Sequence, residues 1–446
     1  MRRSLHKIAY LLSLLVSFSK VLSAQQPAPA GNIFSLTMQE VWEKATIYNK
    51  SIRMQALKVQ GSEEDIKDAR ADRLPEINVE GAYAYASNIP VYENGLLETP
   101  TQLPAFHTYY RFGGDAYFNL YNGGKTNIKI KERQTIRQID EEEKNLTISE
   151  IKLRASALFL GLHRSLIFKQ LLFSDIDDKE KQLAHIRQLQ KNGVVLKSDV
   201  LRAELQLSNQ KLSLTQIEND IAIASQKLNI LMGQPDSLLI YPEMTTDADT
   251  SLLKPSSEYL EDALHHAYQN KISARETELK RLQLQAVKAN LSPKIGLFGT
   301  YAYTYPQTLL YPYSGNLFGL GMAGISASFP ISAFYQNRHK VKASEWQLKQ
   351  QELEQENTRD GIRQQVTEAY LRYQEAVNRI SVAKTNITRA VENSRIVNNT
   401  YFNQLSLITD LLEANTELLQ ARFDLVSAQI AAQMQYYQLL NATANF

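Results

Sequence analysis

The chain has 446 residues, with 49 basic side chains (Lys and Arg), 47 acidic ones and no cysteine. The absence of cysteine excludes disulfides, thiolate metal sites, a cysteine nucleophile and a lipidated N-terminal cysteine. The nearly balanced charge lacks the concentrated positive patch that a nucleic-acid-binding protein needs, so we expect no nucleic acid partner.

The first predicted element is a signal peptide. Arg2, Arg3 and Lys7 precede an apolar run that ends at about Phe18, and cleavage is expected after Ala24. The apolar run is too short to span a bilayer as a helix, and no later stretch reaches ~18 uninterrupted apolar residues. The sequence therefore predicts an exported chain without a transmembrane helix.

The rest of the chain is a duplicated unit. The pattern Pro-x-Ile-x-(Val/Leu)-x-Gly-x-Tyr-Ala-Tyr occupies 75–85 and returns 218 positions later at 293–303. A second pair of similar segments, 198–203 and 409–414, lies 211 positions apart. Repeats of this kind fix the architecture, and each unit is predicted to contain a helix, two short strands, a long helix, a tip and a returning helix.

These signals predict the following domain organisation along the chain: a signal peptide at 1–24, an N-terminal linker at 25–35, a first repeat at 36–233, an equatorial linker at 234–257 and a second repeat at 258–446.

Four segments alternate between apolar and polar residues with a period of two, which predicts strands at 77–85, 110–120, 295–305 and about 317–329. The fourth segment is rich in glycine, and its blurred alternation indicates a β-bulge. Strands of about ten residues can cross a bilayer when tilted. The residues expected on the lipid-facing side are Ile77, Val79, Tyr83, Phe112, Phe118, Ile295, Leu297 and Tyr301. The alternative is a soluble β-layer packed on helices.

Four strands are too few to close a membrane barrel, whose smallest common form has about eight. Unpaired strand edges are not tolerated in lipid. If these strands lie in a membrane, several chains must share one barrel.

The predicted helices are long and paired. A helix from about 126 to 190 would extend nearly 100 Å at ~1.5 Å per residue. Apolar residues then alternate at spacings of three and four from Val200 and again from Leu411. Such a sustained heptad pattern is typical of a coiled coil. Each half is therefore predicted to form a helical hairpin, with bends near 192–197 and 403–408.

Three motifs resemble ligand sites but lack the required context. The run 319–324 spells G-x-G-x-x-G, yet it continues as an extended segment rather than opening a helix. Gly124-Lys125-Thr126 imitates the end of a P-loop, but Asn119 stands where the first glycine should be. Adjacent histidines at 265 and 266 would diverge by about 100° on a helix. We therefore expect no cofactor and no metal.

The chain resembles the TolC family of outer-membrane efflux proteins. Four features carry this resemblance together: the signal peptide, the duplicated unit, the Gly-Gly after a Phe-x-Leu-x-Asn strand end, and the sequence of 192–201. The resemblance implies a mainly helical fold with a small β part. It implies a homotrimer whose twelve strands form one barrel in outer-membrane lipid and whose helices form a tunnel across the periplasm. It also implies a tip that opens when a periplasmic adaptor and an inner-membrane transporter dock.

By this resemblance, the residues expected at the adaptor-contacting tips are Gly193, Val194, Leu196, Ser198, Asp199, Gln404, Leu407, Thr409 and Asp410. Gln404 departs from the family pattern, which usually has glycine there. The family often narrows its tip with acidic residues, for which the candidates are Asp175, Asp177, Asp178, Glu180 and Glu392. The alternative for each acidic residue is a solvated helix face.

The function that the sequence supports best is a passive outer-membrane duct without enzymatic activity. The alternatives are a periplasmic or surface coiled-coil scaffold without a pore, a hydrolytic enzyme, and a lipid-anchored relative. The scaffold would not need four bilayer-length strands, no catalytic grouping stands out for an enzyme, and there is no cysteine to acylate. The exported cargo stays open among drugs, metals, lipids and proteins.

Overall fold

A computed structural model describes residues 33–244, 254–307, 312 and 314–446. The predicted signal peptide and most of the predicted linker 25–35 lie outside the described residues. In the first half of the chain the elements are β1 (Ile33–Thr37), α1 (Met38–Tyr48), α2 (Lys50–Ala71), β2 (Glu76–Tyr85), β3 (Ile89–Val91), β4 (Thr101–Leu103), β5 (Thr108–Tyr121), α3 (Lys125–Lys191) and α4 (Lys197–Met232).

The second half has a similar order, with an additional single-turn helix before its long helix. Its elements are β6 (Leu239–Glu243), α5 (Ser256–His266), α6 (Tyr268–Lys288), β7 (Lys294–Tyr305), β8 (Phe318–Ser328), the single-turn α7 (Ala333–Gln336), α8 (Arg338–Phe402) and α9 (Ile408–Ala442). The predicted class, mainly helical with a small β part and long helical hairpins, is confirmed. No helix among the described residues is long and apolar enough to cross a bilayer.

The chain forms two compact units. One, called here the tip unit, contains the described residues of 33–53, 148–263 and 365–446. The other, the sheet unit, contains 54–147 and the described residues of 264–364. Each unit combines segments from both sequence repeats, so the compact units do not coincide with the repeats.

The main feature of the sheet unit is an antiparallel sheet with the strand order β2-β5-β7-β8. All four strands lie where the alternation predicts them. The expected bulge in the fourth strand is wrong, because β7 and β8 pair in one continuous register. The irregularity lies instead in β5, between Asn119 and Tyr121. The glycines of β8 therefore blur its sequence pattern without interrupting its pairing.

The tip unit holds an apolar core around α1, which the sequence explains locally. The Thr37 side chain accepts a hydrogen bond from the Glu40 amide (3.3 Å), and Glu40 accepts one from the Thr37 amide (2.8 Å), so α1 begins with a capping box. Val41 and Ala45 then pack with Phe159 of α3 and other fully buried side chains.

One part of this unit was not predicted. Strands β1 and β6 form a parallel pair, with Ile33 opposite Leu239 and Thr37 opposite Glu243. Residues 33–35 of β1 and all of β6 fall in the predicted linkers, since five-residue strands carry too little pattern to detect. A parallel pair also joins segments about two hundred residues apart, which no local pattern reveals.

The predicted seams of the hairpins are largely buried. In α4, Val200, Ala203 and Leu207 are all less than 10% exposed. In α9 one position shifts, since Leu419 is buried rather than the predicted Leu418. Heptad positions drift by about 20° per repeat on a straight helix, which moves the buried stripe from one residue to its neighbour.

Candidate functional site

Two turns in the tip unit connect the long helices, and they share one geometry. In the first, α3 ends at Lys191 and Gly193 adopts a left-handed backbone (φ 75°). The Val194 amide then donates to the Leu189 carbonyl (2.9 Å), and the Gly193 amide donates to the Gln190 carbonyl (3.0 Å). This pair of hydrogen bonds is a Schellman motif, which satisfies carbonyls at a helix end.

The second turn has the same form without the glycine. Gln404 is left-handed (φ 64°), the Leu405 amide donates to Thr400 (2.8 Å), and the Gln404 amide donates to Tyr401 (2.9 Å). A non-glycine residue pays roughly 1–2 kcal/mol for this conformation. Gln404 therefore keeps the shape of the glycine turn at an energetic cost, and the departure from the family sequence does not change the turn geometry.

Asp199 and Asp410 cap the N-termini of the returning helices α4 and α9. The Leu196 amide donates to Asp199 Oδ2 (3.3 Å), and the Leu407 amide donates to Asp410 Oδ2 (3.1 Å). Each aspartate is the third residue of its helix and reaches back to the preceding backbone. This satisfies one free N–H and places negative charge at the positive end of the helix dipole.

Ser198 and Thr409 flank these aspartates without capping the helices themselves. Thr409 Oγ1 donates to Asp410 Oδ1 (3.4 Å), and no cap hydrogen bond joins either hydroxyl to the helix backbone among the described contacts. The aspartates, rather than the hydroxyl side chains beside them, therefore cap the two helices.

The two tips pack against each other through one apolar cluster. Val200 and Ala203 from the first hairpin share this cluster with Tyr401, Ile408 and Leu411 from the second. The His185 ring stacks on Phe402, with centroids 4.5 Å apart. Burial raises the pKa of Tyr401, as does the nearby negative charge of Asp199. The tips therefore form one structural element rather than two independent loops.

Apolar side chains project from both turns. Leu196 is 71% exposed and Leu407 is 70% exposed, although both lie next to a well-packed cluster. Val194 and its counterpart Leu405 are also exposed. Both turns therefore present apolar side chains to solvent at corresponding positions.

The five acidic candidates for a constriction differ in their surroundings. Three are exposed and paired with a cation: Asp177 with Lys181 (2.6 Å), Glu180 with Lys211 (2.6 Å) and Glu392 with Arg395 (2.7 Å). Asp178 is exposed and has no ion-pair partner in the described part of the chain. Exposed pairs of this kind are typical of a solvated helix surface.

The fifth candidate, Asp175, forms a buried pair with Lys179. Their side chains are only 14% and 5% exposed. The distance from Nζ to Oδ2 is 3.8 Å, and neither atom has a hydrogen-bond partner among the described residues. Burial raises the pKa of Asp175 and lowers the pKa of Lys179, because desolvation disfavours both charged forms. The sequence analysis did not identify Lys179, since its i+4 spacing is common on solvated helices.

The sheet has one apolar and one polar face. Directly opposed residues lie on the same face of a sheet. The register pairs Val79 with Gly114 and Gly114 with Tyr301, and it pairs Phe118 with Leu297. All of the residues predicted to face lipid consequently lie on one face: Ile77, Val79, Tyr83, Phe112, Phe118, Ile295, Leu297 and Tyr301. Val79 is 72% exposed, so none of the described residues covers it.

The opposite face carries charged and polar groups. Arg111 Nη2 lies 3.2 Å from Glu80 Oε1, and Asn78 Nδ2 donates to Asp115 Oδ2 (3.1 Å). Thr300 and Thr304 belong to the same face, because they pair with Asp115 and Arg111. A sheet with one apolar and one hydrated face suits a wall between lipid and an aqueous lumen.

The motifs that imitate ligand sites have structural roles. The run 319–324 lies inside β8, so it is not the loop of a dinucleotide site. Gly123 and Gly124 both have positive φ (72° and 78°) at the change from β5 to α3. The histidines at 265 and 266 end α5, and no group of three metal-ligating side chains occurs within the described ranges.

Comparisons with known proteins agree with this geometry. The model of the outer membrane efflux protein family matches residues 41–234 and 260–445. No curated protein matches the sequence significantly. Several solved structures have a similar fold at low identity, and some of them are described as outer-membrane channels.

Three of these structures illustrate the similarity. CusC, described in terms of transmembrane channel formation, is 17% identical over 94% of this chain and 95% of its own, with a TM-score of 0.78. The outer-membrane channel OprN is 15% identical over 92% and 90%, with a TM-score of 0.76. The outer membrane protein VceC of Vibrio cholerae is 18% identical over 91% and 95%, with a TM-score of 0.75.

The family match spans most of the chain and agrees with the TolC-like resemblance found in the sequence. This protein belongs to the outer membrane efflux protein family and is an efflux channel of the outer membrane.

Proposed function

We propose that three copies of this chain form one conduit, with a shared twelve-stranded barrel in the outer membrane and a helical tunnel in the periplasm. The conduit passively conducts substrates that an inner-membrane transporter and a periplasmic adaptor deliver, in a tripartite efflux or type I secretion system. Residues 1–24 would direct export of the chain. The observation that carries the proposal is the two-faced sheet with open edges.

The open edges supply the argument for oligomerisation. Strands β2 and β8 each pair with one neighbour only within the four-stranded sheet. Unpaired backbone groups cost several kcal/mol each in lipid, so both edges need a partner strand there. Three sheets of four strands would close a barrel of twelve, which is within the range of outer-membrane barrels, from 8 strands upward.

The tips supply the argument for a docking partner. Leu196 and Leu407 occupy corresponding positions of two turns with one geometry and stay exposed. A partner that repeats the same contact could therefore engage both turns. We propose that Gly193, Val194, Leu196, Ser198 and Asp199, with Gln404, Leu407, Thr409 and Asp410, form the adaptor surface.

The acidic residues have a more limited proposed role. Among the five constriction candidates, Asp178 would contribute the most to charge selection, because the other four share their charge with a cation. Asp175 is largely buried, so it would act through the helix packing rather than by facing the tunnel.

The first experiment is the native mass of the detergent-extracted protein from an outer-membrane fraction, followed by conductance in planar bilayers. Three copies per particle and discrete channel openings are expected. A soluble periplasmic monomer would refute the conduit and favour a coiled-coil scaffold.

The adaptor surface is tested by crosslinking. Because the chain has no cysteine, Leu196→Cys or Leu407→Cys introduces a unique thiol. Either variant should crosslink to a co-expressed adaptor through a short thiol-to-amine reagent. Leu57→Cys, which is 65% exposed on α2 of the sheet unit, is the matched control. Equal crosslinking by the control would contradict the assignment.

A further inference from the structure

The ends of four strands meet at one end of the sheet, next to the helices of the sheet unit. Antiparallel pairing brings together the starts of β2 and β7 and the ends of β5 and β8. We call this region the collar, and it comprises residues 70–75, 122–133, 286–294 and 329–346. Side-chain contacts join the segments: Arg73 donates to Asn127 Oδ1 (2.8 Å), and Asn337 donates to the Val287 carbonyl (2.7 Å).

The collar concentrates positive charge. Its four segments contain eleven Lys or Arg residues and three Asp or Glu residues. The connections at the opposite end of the sheet, 86–107 and 306–317, contain no Lys or Arg and two Glu. The chain as a whole is nearly balanced, with 49 basic and 47 acidic residues. The basic excess therefore belongs to one end of the sheet and is not a property of the composition.

Several of these cations have no counter-ion. The side chains of Lys125, Lys294, Arg338 and Lys340 make no hydrogen bond or ion pair with any other described residue. Burial lowers the pKa of Lys125, and so does repulsion from Lys294. Two side-chain ammonium groups thus lie close to each other without a carboxylate that neutralises them.

Lys125 lines a cavity in the collar that is suited to a small anionic group. The cavity has a volume of about 400 Å³ and also presents Asn122, Thr126 and Asn290. The cavity also contains two carboxylates. Asp72 is already paired with Lys129 (2.7 Å), and burial raises the pKa of Glu132, which disfavours its charged form. Asparagine, threonine and lysine side chains together can donate several hydrogen bonds to phosphate oxygens.

Exposed apolar and aromatic side chains lie in the same segments. Ile331 is 72% exposed, and Phe334 and Tyr335 of the single-turn helix α7 are 58% and 69% exposed. Trp346 is 61% exposed, with the Lys342 ammonium 5.4 Å from its ring centroid. Aromatic residues beside basic ones are typical of protein surfaces at the boundary between lipid tails and headgroups.

We propose that the collar binds the headgroups of anionic glycerophospholipids in the periplasmic leaflet of the outer membrane. The proposal rests on the proposed function, in which the sheet spans the membrane and the helices extend into the periplasm. The collar then lies at headgroup depth, its aromatic residues enter the interface, and Lys125 and Lys294 contact the phosphate. The opposite end of the sheet, whose connections contain no Lys or Arg, should show no such preference.

The test uses the full-length protein reconstituted in phosphatidylcholine vesicles that contain spin-labelled phosphatidylglycerol or spin-labelled phosphatidylcholine. The wild-type protein should bind a larger fraction of the spin-labelled phosphatidylglycerol than of the spin-labelled phosphatidylcholine. A lysine near an anionic surface contributes roughly a five-fold change in association. In the double variant Lys125→Gln/Lys294→Gln, the preference for phosphatidylglycerol over phosphatidylcholine should therefore fall by about twenty-fold, or largely disappear if it is smaller than that in the wild type. High salt should reduce the preference of the wild type.

The matched control is Lys144→Gln/Lys280→Gln, which removes the same charge from helices of the same unit outside the collar. An unchanged preference in the collar variant, or an equal loss in the control, would overturn the proposal. Conductance in pure phosphatidylcholine separates this outcome from a failure of the proposed function. Channels that open normally without lipid preference refute the collar alone, whereas a protein that forms no channels refutes both.

Discussion

A charge on the apolar face of the sheet should prevent insertion, and Val79→Lys is the most informative change. Val79 is 72% exposed in the chain and lies opposite Gly114, so no neighbouring side chain can cover a lysine there. If this face contacts lipid, the ammonium must enter the hydrocarbon layer or move to its boundary.

The expected cost follows from the position of Val79 along its strand. It lies three residues after Glu76, the first residue of β2. At ~3.4 Å per residue and a tilt of about 40°, that is roughly 8 Å into an apolar band of about 25 Å. Val79 is therefore about 4–5 Å from the midplane, where a lysine costs ~2–4 kcal/mol. We expect roughly 2–3 kcal/mol, or at least a thirty-fold change in the assembly equilibrium.

The assay measures the fraction of protein recovered as assembled oligomer from the outer-membrane fraction. The matched control is Asn78→Lys, which adds the same charge at nearly the same depth on the opposite face. There the new ammonium can pair with Asp115, whose Oδ2 lies 3.1 Å from Asn78 Nδ2. Val79→Lys should shift the equilibrium away from the assembled oligomer by at least thirty-fold, and Asn78→Lys should assemble normally. Normal assembly of Val79→Lys, with a defect in Asn78→Lys, would show that the faces are assigned the wrong way round.

Three further predictions concern the tip unit. Gln404→Gly should raise the free energy of unfolding by up to about 1 kcal/mol, because relief of the left-handed strain exceeds the entropy cost of glycine; the measurement is a urea titration. Replacing both Asp199 and Asp410 with alanine should cost ~1 kcal/mol per tip through loss of the helix-start hydrogen bonds, measured as faster amide exchange in the two turns. Asp175→Leu should cost about 3–5 kcal/mol at neutral pH by leaving the Lys179 ammonium buried and unpaired, whereas Asp175→Leu combined with Lys179→Met should be neutral or stabilising. The pKa of Lys179 is lowered in the folded chain, so the single variant should regain stability as pH rises through that lowered pKa towards the ordinary value of 10.5.

A different result would contradict each of these three predictions. Gln404→Ala keeps the strain and should give no gain, so an equal gain from Ala and Gly would exclude relief of strain. Unchanged exchange rates at both turns would show that the aspartates do not hold the helix starts. A stability of Asp175→Leu that does not depend on alkaline pH would show that Lys179 is not buried as an ammonium.

The sequence predicted the elements of this fold because their patterns are local. Alternation with a period of two placed the four strands, and spacings of three and four placed the hairpin seams. The repeat at 218 and 211 residues located both tips before any contact was known. The largest errors were a buried residue shifted from Leu418 to Leu419 and a bulge assigned to β8 instead of β5.

Which strands pair with each other and which charged side chains are buried together could not be predicted from the sequence, because both depend on tertiary structure. The parallel pair of β1 and β6 joins segments that are each too short for a periodic signal. The buried pair of Asp175 and Lys179 has the spacing of an ordinary surface pair, and only helix packing removes it from water. Likewise, the sequence shows that Gln404 replaces the glycine usual in the family, but only the structure shows that the backbone there is still left-handed.

By itself the sequence determined which segments are strands and helices, because side-chain periodicity records which face of an element is apolar. Only the tertiary structure decided which charged groups meet, which stay exposed and which segments gather at the collar. These outcomes depend on distances between residues far apart in the chain, and a one-dimensional pattern does not encode such distances.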